Sequence, residues 1–214
     1  MRFSIHTVYK ALGSQFRAKR FELFRAEVAP SATDRMLDVG GYPENWTERP
    51  AIVASIEVLN VDSVDFDSAS APEHHVTAVS GDGRKLRYGD ASFDIVYCNS
   101  VIEHVGTWDD QRCCAAEIRR VGKRLWVQTP ARSFPIEPHF LTPFIHWLPI
   151  GLRRRAARFT VWALITHPTA EEAAATADEI RLLDRGEMEE LFPDCEIVTE
   201  RAFGLPKSYI ALRR

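Results

Sequence analysis

The run Phe93-Asp-Ile-Val-Tyr-Cys98 constrains the fold of this chain more than any other stretch. Its nearly continuous apolar character suits a strand covered on both faces, which is the environment of a parallel sheet. It belongs to a series: residues 35–39, 56–61 and 76–79 read as strands before it, and 125–128 as a strand after it. Helical patterns stand between them. One covers residues 8–28 and ends before Pro30, with Phe16, Leu23 and Phe24 expected to face the domain. A short one opens at Pro43, where a missing backbone donor costs nothing. Another covers residues 109–121, with Asp109 as the expected N-cap, Arg119 and Arg120 at the negative end and Gly122 as the stop.

Strands alternating with helices at this spacing imply right-handed βαβ units. The rhythm breaks after Thr129, so residues 130–183, rich in proline and aromatics and then helical, read as an insertion. A helix over 184–191 resumes the pattern, and strands at 196–202 and 208–212 flank Phe203-Gly-Leu-Pro-Lys207 as a hairpin. The expected fold is therefore α/β, Rossmann-like and doubly wound. It has a mostly parallel seven-stranded sheet with a C-terminal antiparallel hairpin and a helical insertion after strand five. At 214 residues the chain suits one domain, with 1–30 as an N-terminal helical cap and 130–183 as a substrate or lid insertion.

A net charge of −3 offers no general attraction to nucleic acid, so none is expected as a partner. No run reaches the roughly 18–20 apolar residues that span a bilayer. Cys98, Cys113, Cys114 and Cys195 form no CxxC pair and read as free thiols in a reducing, cytoplasmic compartment. The basic, acid-free start of the chain has no apolar core of a secretory signal. Nothing in the residues signals an oligomeric state.

Three loops at strand ends carry candidate ligand chemistry. Leu37-Asp-Val-Gly-Gly41 lies between a strand and a helix, where open parallel sheets bind ligands and glycine lets a ligand approach the backbone. Tyr42-Pro43-Glu44 follows, so the GxGxxG of a pyrophosphate cradle is absent. Asp38 beside open backbone instead suits cationic and hydroxyl groups. Asn60 and Asp62 share a strand face after the second strand, and either could accept ribose hydroxyls. Ser80-Gly-Asp-Gly83 offers an acid for an exocyclic amine, or a plain turn.

Taken in order, strand-DVGG, the acid after strand two, GDG after strand three and Phe93-Asp-Ile-Val-Tyr-Cys-Asn-Ser-Val-Ile-Glu-His-Val105 resemble class I S-adenosylmethionine-dependent methyltransferases. In particular they resemble the small methyltransferase type 11 group, which includes ubiquinone-pathway enzymes. The likeness covers about residues 35–140 and the terminal hairpin. It implies S-adenosyl-L-methionine as cofactor, with Gly40 and Gly41 on its methionine side, Asn60 or Asp62 on the ribose, Asp82 with Gly83 on adenine, and Asn99 lining the methyl-transfer face. The chain departs from the family where Tyr42 or Pro43 replaces a third glycine.

The acceptor side is read from the residues alone. Ser100-Val-Ile-Glu103 fits a capping box, which gives Glu103 a structural role. His104 follows and is a candidate for proton transfer. In the proline-stiffened segment 130–140, Arg132, Glu137 and His139 stand among Phe134, Ile136 and Phe140, a mixture that suits a substrate pocket. His139 is the preferred general base, and Arg132, Phe134, Glu137 and Trp147 are the expected acceptor contacts. Glu137, His139 and His146 have no compact metal-ligand spacing, so no metal is expected. Residues 140–150 are apolar and a basic cluster follows at 151–155. That stretch reads as an active-site lid, with peripheral membrane contact as the alternative. A small or lipid-like acceptor, with O-methylation favoured, is the expected use of the site. A binding module without catalysis remains open, as does an NAD-dependent oxidoreductase or epimerase.

Overall fold

A computed structural model describes residues 5–47, 49–61 and 75–214, with side chains from Phe16 onward. The strands are β1 (Arg35–Val39), β2 (Ser55–Asn60), β3 (Val76–Ser80), β4 (Phe93–Asn99), β5 (Gly122–Pro130), β6 (Ile136–Glu137), β7 (Thr142–Pro143), β8 (Glu196–Ala202) and β9 (Leu205–Arg213). Seven of them form one sheet in the order β3-β2-β1-β4-β5-β9-β8. The pairs from β3 through β5 are parallel, and β9 is antiparallel to both β5 and β8. The chain works outward from β1 to β3 and then crosses back to β4. The strand order reverses between β1 and β4, and at such a point the loops diverge and leave a crevice.

Period-two alternation sends each strand's side chains to two separate cores. On one face, α3 (Trp108–Val121) and α7 (Arg185–Leu191) cover Leu37, Val39, Val96, Cys98 and Val127. On the other, α1 (Ile5–Val28) sets Phe21, Phe24 and Val28 against Met36, Ile95, Trp126 and Ile210. Phe24 is the keystone of that face. It meets Trp46, Tyr97 and Trp126 at ring-centroid distances of 6.5, 5.1 and 5.6 Å, all edge-on, the geometry favoured by ring quadrupoles.

The insertion leaves and rejoins the sheet at one point, where Ala131 and Leu183 form a parallel bridge. Between them lie the β6–β7 ribbon, α4 (Ile150–Ala157), α5 (Val161–Thr166) and α6 (Ala170–Glu179), as well as a small core of its own. Ala157, Ala173 and Ala177 let α4 and α6 approach closely over Phe140, Ile145 and Leu182. No helix among the described residues is long and apolar enough to cross a membrane.

Local details depart from expectation. The N-cap of α3 is Thr107, not Asp109. Its side chain accepts from the Asp110 amide while the Asp110 carboxylate accepts from the Thr107 amide at 2.9 Å. Ser100 caps nothing. It takes a left-handed φ of 55°, and its hydroxyl donates to Gln128 Oε1 at 3.0 Å. Residues Ile102–His104 form a single 3-10 turn without a side-chain cap. The terminal hairpin turns on Phe203 and Gly204 alone, with φ of 52° and 80°, so β9 begins at Leu205 rather than 208.

Truncating the keystone tests how α1 is held. Phe24→Ala is expected to cost about 3–5 kcal/mol in urea denaturation, the range for a fully buried aromatic. A cost below about 1 kcal/mol would mean that α1 docks without it.

Candidate active site

The carboxyl ends of β1, β2, β3 and β4 open onto a cleft of about 510 Å³, lined among others by Gly40, Asn60, Asp82, Gly83, Ser100 and His104. Gly40 holds φ at 76°, and a Cβ there would overlap Val101. A glycine is therefore required for the loop to fold back at the end of β1, and its amide donates to Leu59 O at 2.7 Å. Asn60 supports the same loop, donating from Nδ2 to Gly41 O at 3.2 Å. Asp82 lines the cleft with its carboxylate gripped by Arg84, whose Nε lies 3.0 Å from both oxygens. That guanidinium holds Asp82 below the usual carboxylate range. Asp62 lies outside the described residues.

Asp38 does not line this cleft. It shares a sheet face with Met36 and turns beneath the glycine loop, where a Cβ at Gly41 would overlap its carboxylate. A smaller cavity of about 80 Å³ there joins Asp38, Gly41, Tyr97 and Asn99 to Arg20 and Arg49. Burial pushes the Asp38 carboxyl up to about 7, opposed by the bond that Trp46 Nε1 donates at 2.7 Å.

A third cavity, about 470 Å³, opens on the other side of Asn99 and Ser100. Phe16, Phe134, Ile136 and Leu141 give it apolar walls, while Arg20, His139 and Lys207 supply polar points. Ser100 lines both this cavity and the cleft, so the two adjoin. Where they adjoin, His104 Nε2 and His139 Nε2 face each other at 3.0 Å with the rings nearly perpendicular. Glu137, fully buried, orients His139 by accepting at 2.6 Å from Nδ1, and its other oxygen takes the Phe140 amide at 2.6 Å. Burial alone would lower the His139 pKa, but the bond to Glu137 and the charges of Glu137, Glu103 and Glu179 outweigh it and leave it raised.

Of the four expected acceptor contacts only Phe134 lines the apolar cavity; Glu137 is fully buried behind His139, and the other two sit elsewhere. The Arg132 side chain turns away to Asp184 and Glu187 at the start of α7. Trp147 is 52% exposed, its Nε1 donating to Arg132 O at 2.8 Å. Drawn to an acidic helix start and a backbone carbonyl, both lie outside the apolar cavity. His146 likewise bonds Arg132 O, at 3.0 Å, and does not join Glu137 and His139.

The residues that sequence reasoning missed are those whose partners are distant in the chain. Arg20 of α1, only 9% exposed, donates to Asn99 Oδ1, Gln128 Oε1 and Glu200 Oε2 at 3.2, 2.9 and 2.7 Å. Glu179, at the end of α6, reaches the cleft and stands 3.2 Å from His104 Nδ1. Glu103 is fully buried beside the histidine pair, with Oε2 accepting from Thr129 Oγ1 at 2.9 Å. No local signal in the sequence marks any of the three.

The raised pKa of Asp38 has a measurable consequence. Its folded-state value exceeds the unfolded value, so its contribution to stability is complete below about pH 4 and is lost as pH rises through about 7. Asp38→Asn keeps an oxygen for Trp46 and removes this loss. Relative to the parent, it is expected to gain stability in urea denaturation between about pH 5 and 8, by a few kcal/mol at most. Parallel pH–stability curves for the two proteins would show that Asp38 ionises freely among Trp46, Tyr97, Arg20 and Arg49.

A family profile described as a methyltransferase domain matches residues 37–124, which hold β1 through the start of β5. No curated protein matches the chain in sequence. Among solved structures, magnesium protoporphyrin IX methyltransferase from Synechocystis, with bound S-adenosylhomocysteine, is 10% identical at a TM-score of 0.56. The match covers all of this chain and 90% of that one. Geranyl diphosphate C-methyltransferase from Streptomyces coelicolor is 13% identical at 0.53, over 88% of this chain and 64% of that one. A Rhodobacter sphaeroides structure named as a Zn-dependent alcohol dehydrogenase is 15% identical at 0.56, over 85% and 84%. Identities this low speak for the fold alone, and the family profile adds the domain type. A methyltransferase-domain profile thus matches residues 37–124, in a chain whose fold is that of the class I S-adenosylmethionine-dependent methyltransferases.

Proposed function

We propose that the chain binds S-adenosylmethionine in the cleft at the switch point and transfers its methyl group to a small or lipid-like acceptor in the adjoining apolar cavity. The observation that carries this reading is the meeting of the two cavities at Ser100, with a histidine pair beside the junction. The cleft fits the cofactor. Its volume is in the range of small-molecule sites, and its open backbone at Gly40 has no phosphate cradle, as suits a nucleoside without phosphate. Gly40 and Gly41 would hold the methionine end, Asn60 the ribose, and Asp82 with Gly83 the adenine. Arg84 must share Asp82 with that ring. Asp38 serves from beneath, by shaping the loop. Asn99, touching both the small cavity and the apolar one, stands at the transfer face.

When bound, the cofactor supplies a methyl group on a sulfonium, already an excellent leaving group. Alignment and exclusion of water then do most of the work. An oxygen acceptor is favoured because a hydroxyl keeps its proton at neutral pH and His139, oriented by Glu137 and lining the cavity, can accept that proton. The acceptor oxygen forms a bond to the methyl carbon as the carbon–sulfur bond breaks. The electron pair of that bond stays on sulfur, giving S-adenosylhomocysteine and a methyl ether, and the hydroxyl proton departs toward the histidine pair. His139→Ala is expected to lower turnover about 10²-fold while S-adenosylhomocysteine affinity, by calorimetry, moves less than twofold. Full turnover at saturating acceptor would remove His139 from the reaction. Absence of binding heat from the parent protein would remove the cofactor.

The surface of the insertion favours a lipid-like acceptor met at a membrane. Phe159 and Leu164 are 71% and 69% exposed, Phe144, Trp147 and Leu152 are about half exposed, and Arg153, Arg154, Arg155 and Arg158 lie among them. Exposed apolar residues beside basic ones suit an anionic lipid interface. Co-sedimentation with anionic phospholipid vesicles is expected, and it should fall severalfold for Phe159→Ser with Leu164→Ser. Equal sedimentation of parent and variant would contradict this.

A further inference from the structure

Two imidazoles meet at Nε2 beside a buried carboxylate, and a further carboxylate lies near Nδ1 of each ring. His139 Nδ1 meets Glu137 at 2.6 Å, and His104 Nδ1 stands 3.2 Å from Glu179 Oε1. The bond to Glu137 fixes the His139 tautomer and raises the basicity of its Nε2, as around metal-bound histidine. Here the two Nε2 atoms face each other at 3.0 Å, a separation that either one shared hydrogen or one cation beside them can satisfy. A third donor points into the same space. Glu103 is fully buried, and its Oε1 accepts no hydrogen bond, lying 3.9 Å from His139 Nε2. A buried carboxylate oxygen without a donor is costly and calls for a cation.

We propose that Glu103 Oε1, His104 Nε2 and His139 Nε2 form a three-ligand site for one divalent transition-metal cation of the zinc class. Among the described residues this is the one cluster whose ligand atoms all lie within 4.8 Å of one another. A tetrahedral ion with bonds of about 2.1 Å sets its ligands about 3.4 Å apart, so the two nitrogens must open slightly and no pair must close by more than about 1.4 Å. Two nitrogens and one carboxylate oxygen are a borderline donor set that favours zinc, cobalt or iron over magnesium or calcium. Three protein ligands leave a position open, as catalytic sites do. His139 lines the acceptor cavity and His104 the nucleoside cleft, so the open position falls at the junction of the two.

The role of the site, though not its existence, rests on the methyl-transfer reading. An acceptor hydroxyl bound to the cation loses its proton at neutral pH, and the resulting oxygen attacks the methyl carbon. The histidines then act as ligands rather than as the base, and the proton leaves to solvent.

The test uses the full chain freed of metal with a chelator and dialysed. Zn²⁺ is titrated by calorimetry, and Co²⁺ is followed by visible absorption, which reports coordination number. One equivalent of Zn²⁺ is expected, with Co²⁺ bands of a four- or five-coordinate site. Glu103→Gln and His139→Ala should each weaken Zn²⁺ binding at least tenfold, and Glu137→Gln, acting through His139, about 10–100-fold. His146→Ala should change nothing. Thermal melts of each variant separate lost ligands from lost folding. If Zn²⁺ does not bind, a shared proton occupies the pair and the proposal fails. If Zn²⁺ binds equally to Glu103→Gln and His139→Ala, the ion sits elsewhere and the proposal fails as well. S-adenosylhomocysteine binding is measured on the same material. Its loss with intact metal binding would overturn the transferase reading, and its retention without metal binding would overturn only the cation site.

Discussion

A guanidinium removed from water must be answered by oxygens held in fixed places, and Arg20 imposes that demand where α1 meets the strand ends. Its partners belong to three strands. Asn99 ends β4, Gln128 lies near the end of β5, and Glu200 belongs to β8. Losing any one would leave a buried charge poorly paired, a far larger penalty than losing a surface contact. Burial would raise the Glu200 pKa, but the Arg20 charge and the bonds from Ser208 and Arg20 more than reverse this, so the carboxylate is held below its usual range. The helix is thereby set in one position over the apolar cavity, whose lining includes Arg20 itself. Phe24 supplies the packing, and Arg20 supplies the register.

From that fixed point the site divides into two jobs. The loops after β1, β2 and β3 are held by backbone requirements, such as the left-handed Gly40, and by local side-chain bonds such as Asn60 to Gly41. The junction after β4 is built from long-range contacts instead. Ser100 ties to Gln128, Glu103 to Thr129, and His104 to His139 and Glu179. The β4 end is therefore where the sheet and the insertion are joined.

The same division explains what could be read in the sequence. Apolar runs revealed the parallel strands because burial on both faces leaves few polar positions, and the glycine and acid loops followed from their places at strand ends. The reading failed where two local solutions competed. Thr107 and Asp109 could each have capped α3, and Asp110 decided for Thr107 by completing the reciprocal pair. Ser100 and Glu103 had the spacing of a capping box, but Gln128 and Thr129 on the neighbouring strand claimed both side chains. Pro206 disguised the start of β9. The partnership of Glu103, His104, His139 and Glu179 could not be read at all, because it depends on how the insertion folds back over the sheet.

The bridge between Ala131 and Leu183 gives the insertion a single doorway. Whatever lies between those residues can lengthen, shorten or repack at small entropic cost, since closing a longer loop is only slightly harder than closing a shorter one. The sheet need not move when it does. The lining of the apolar cavity can thus drift while the cleft at the strand ends stays constant, provided His139 and Glu179 still arrive opposite His104. The fold separates what must stay fixed from what is free to vary, and the boundary runs through two residues.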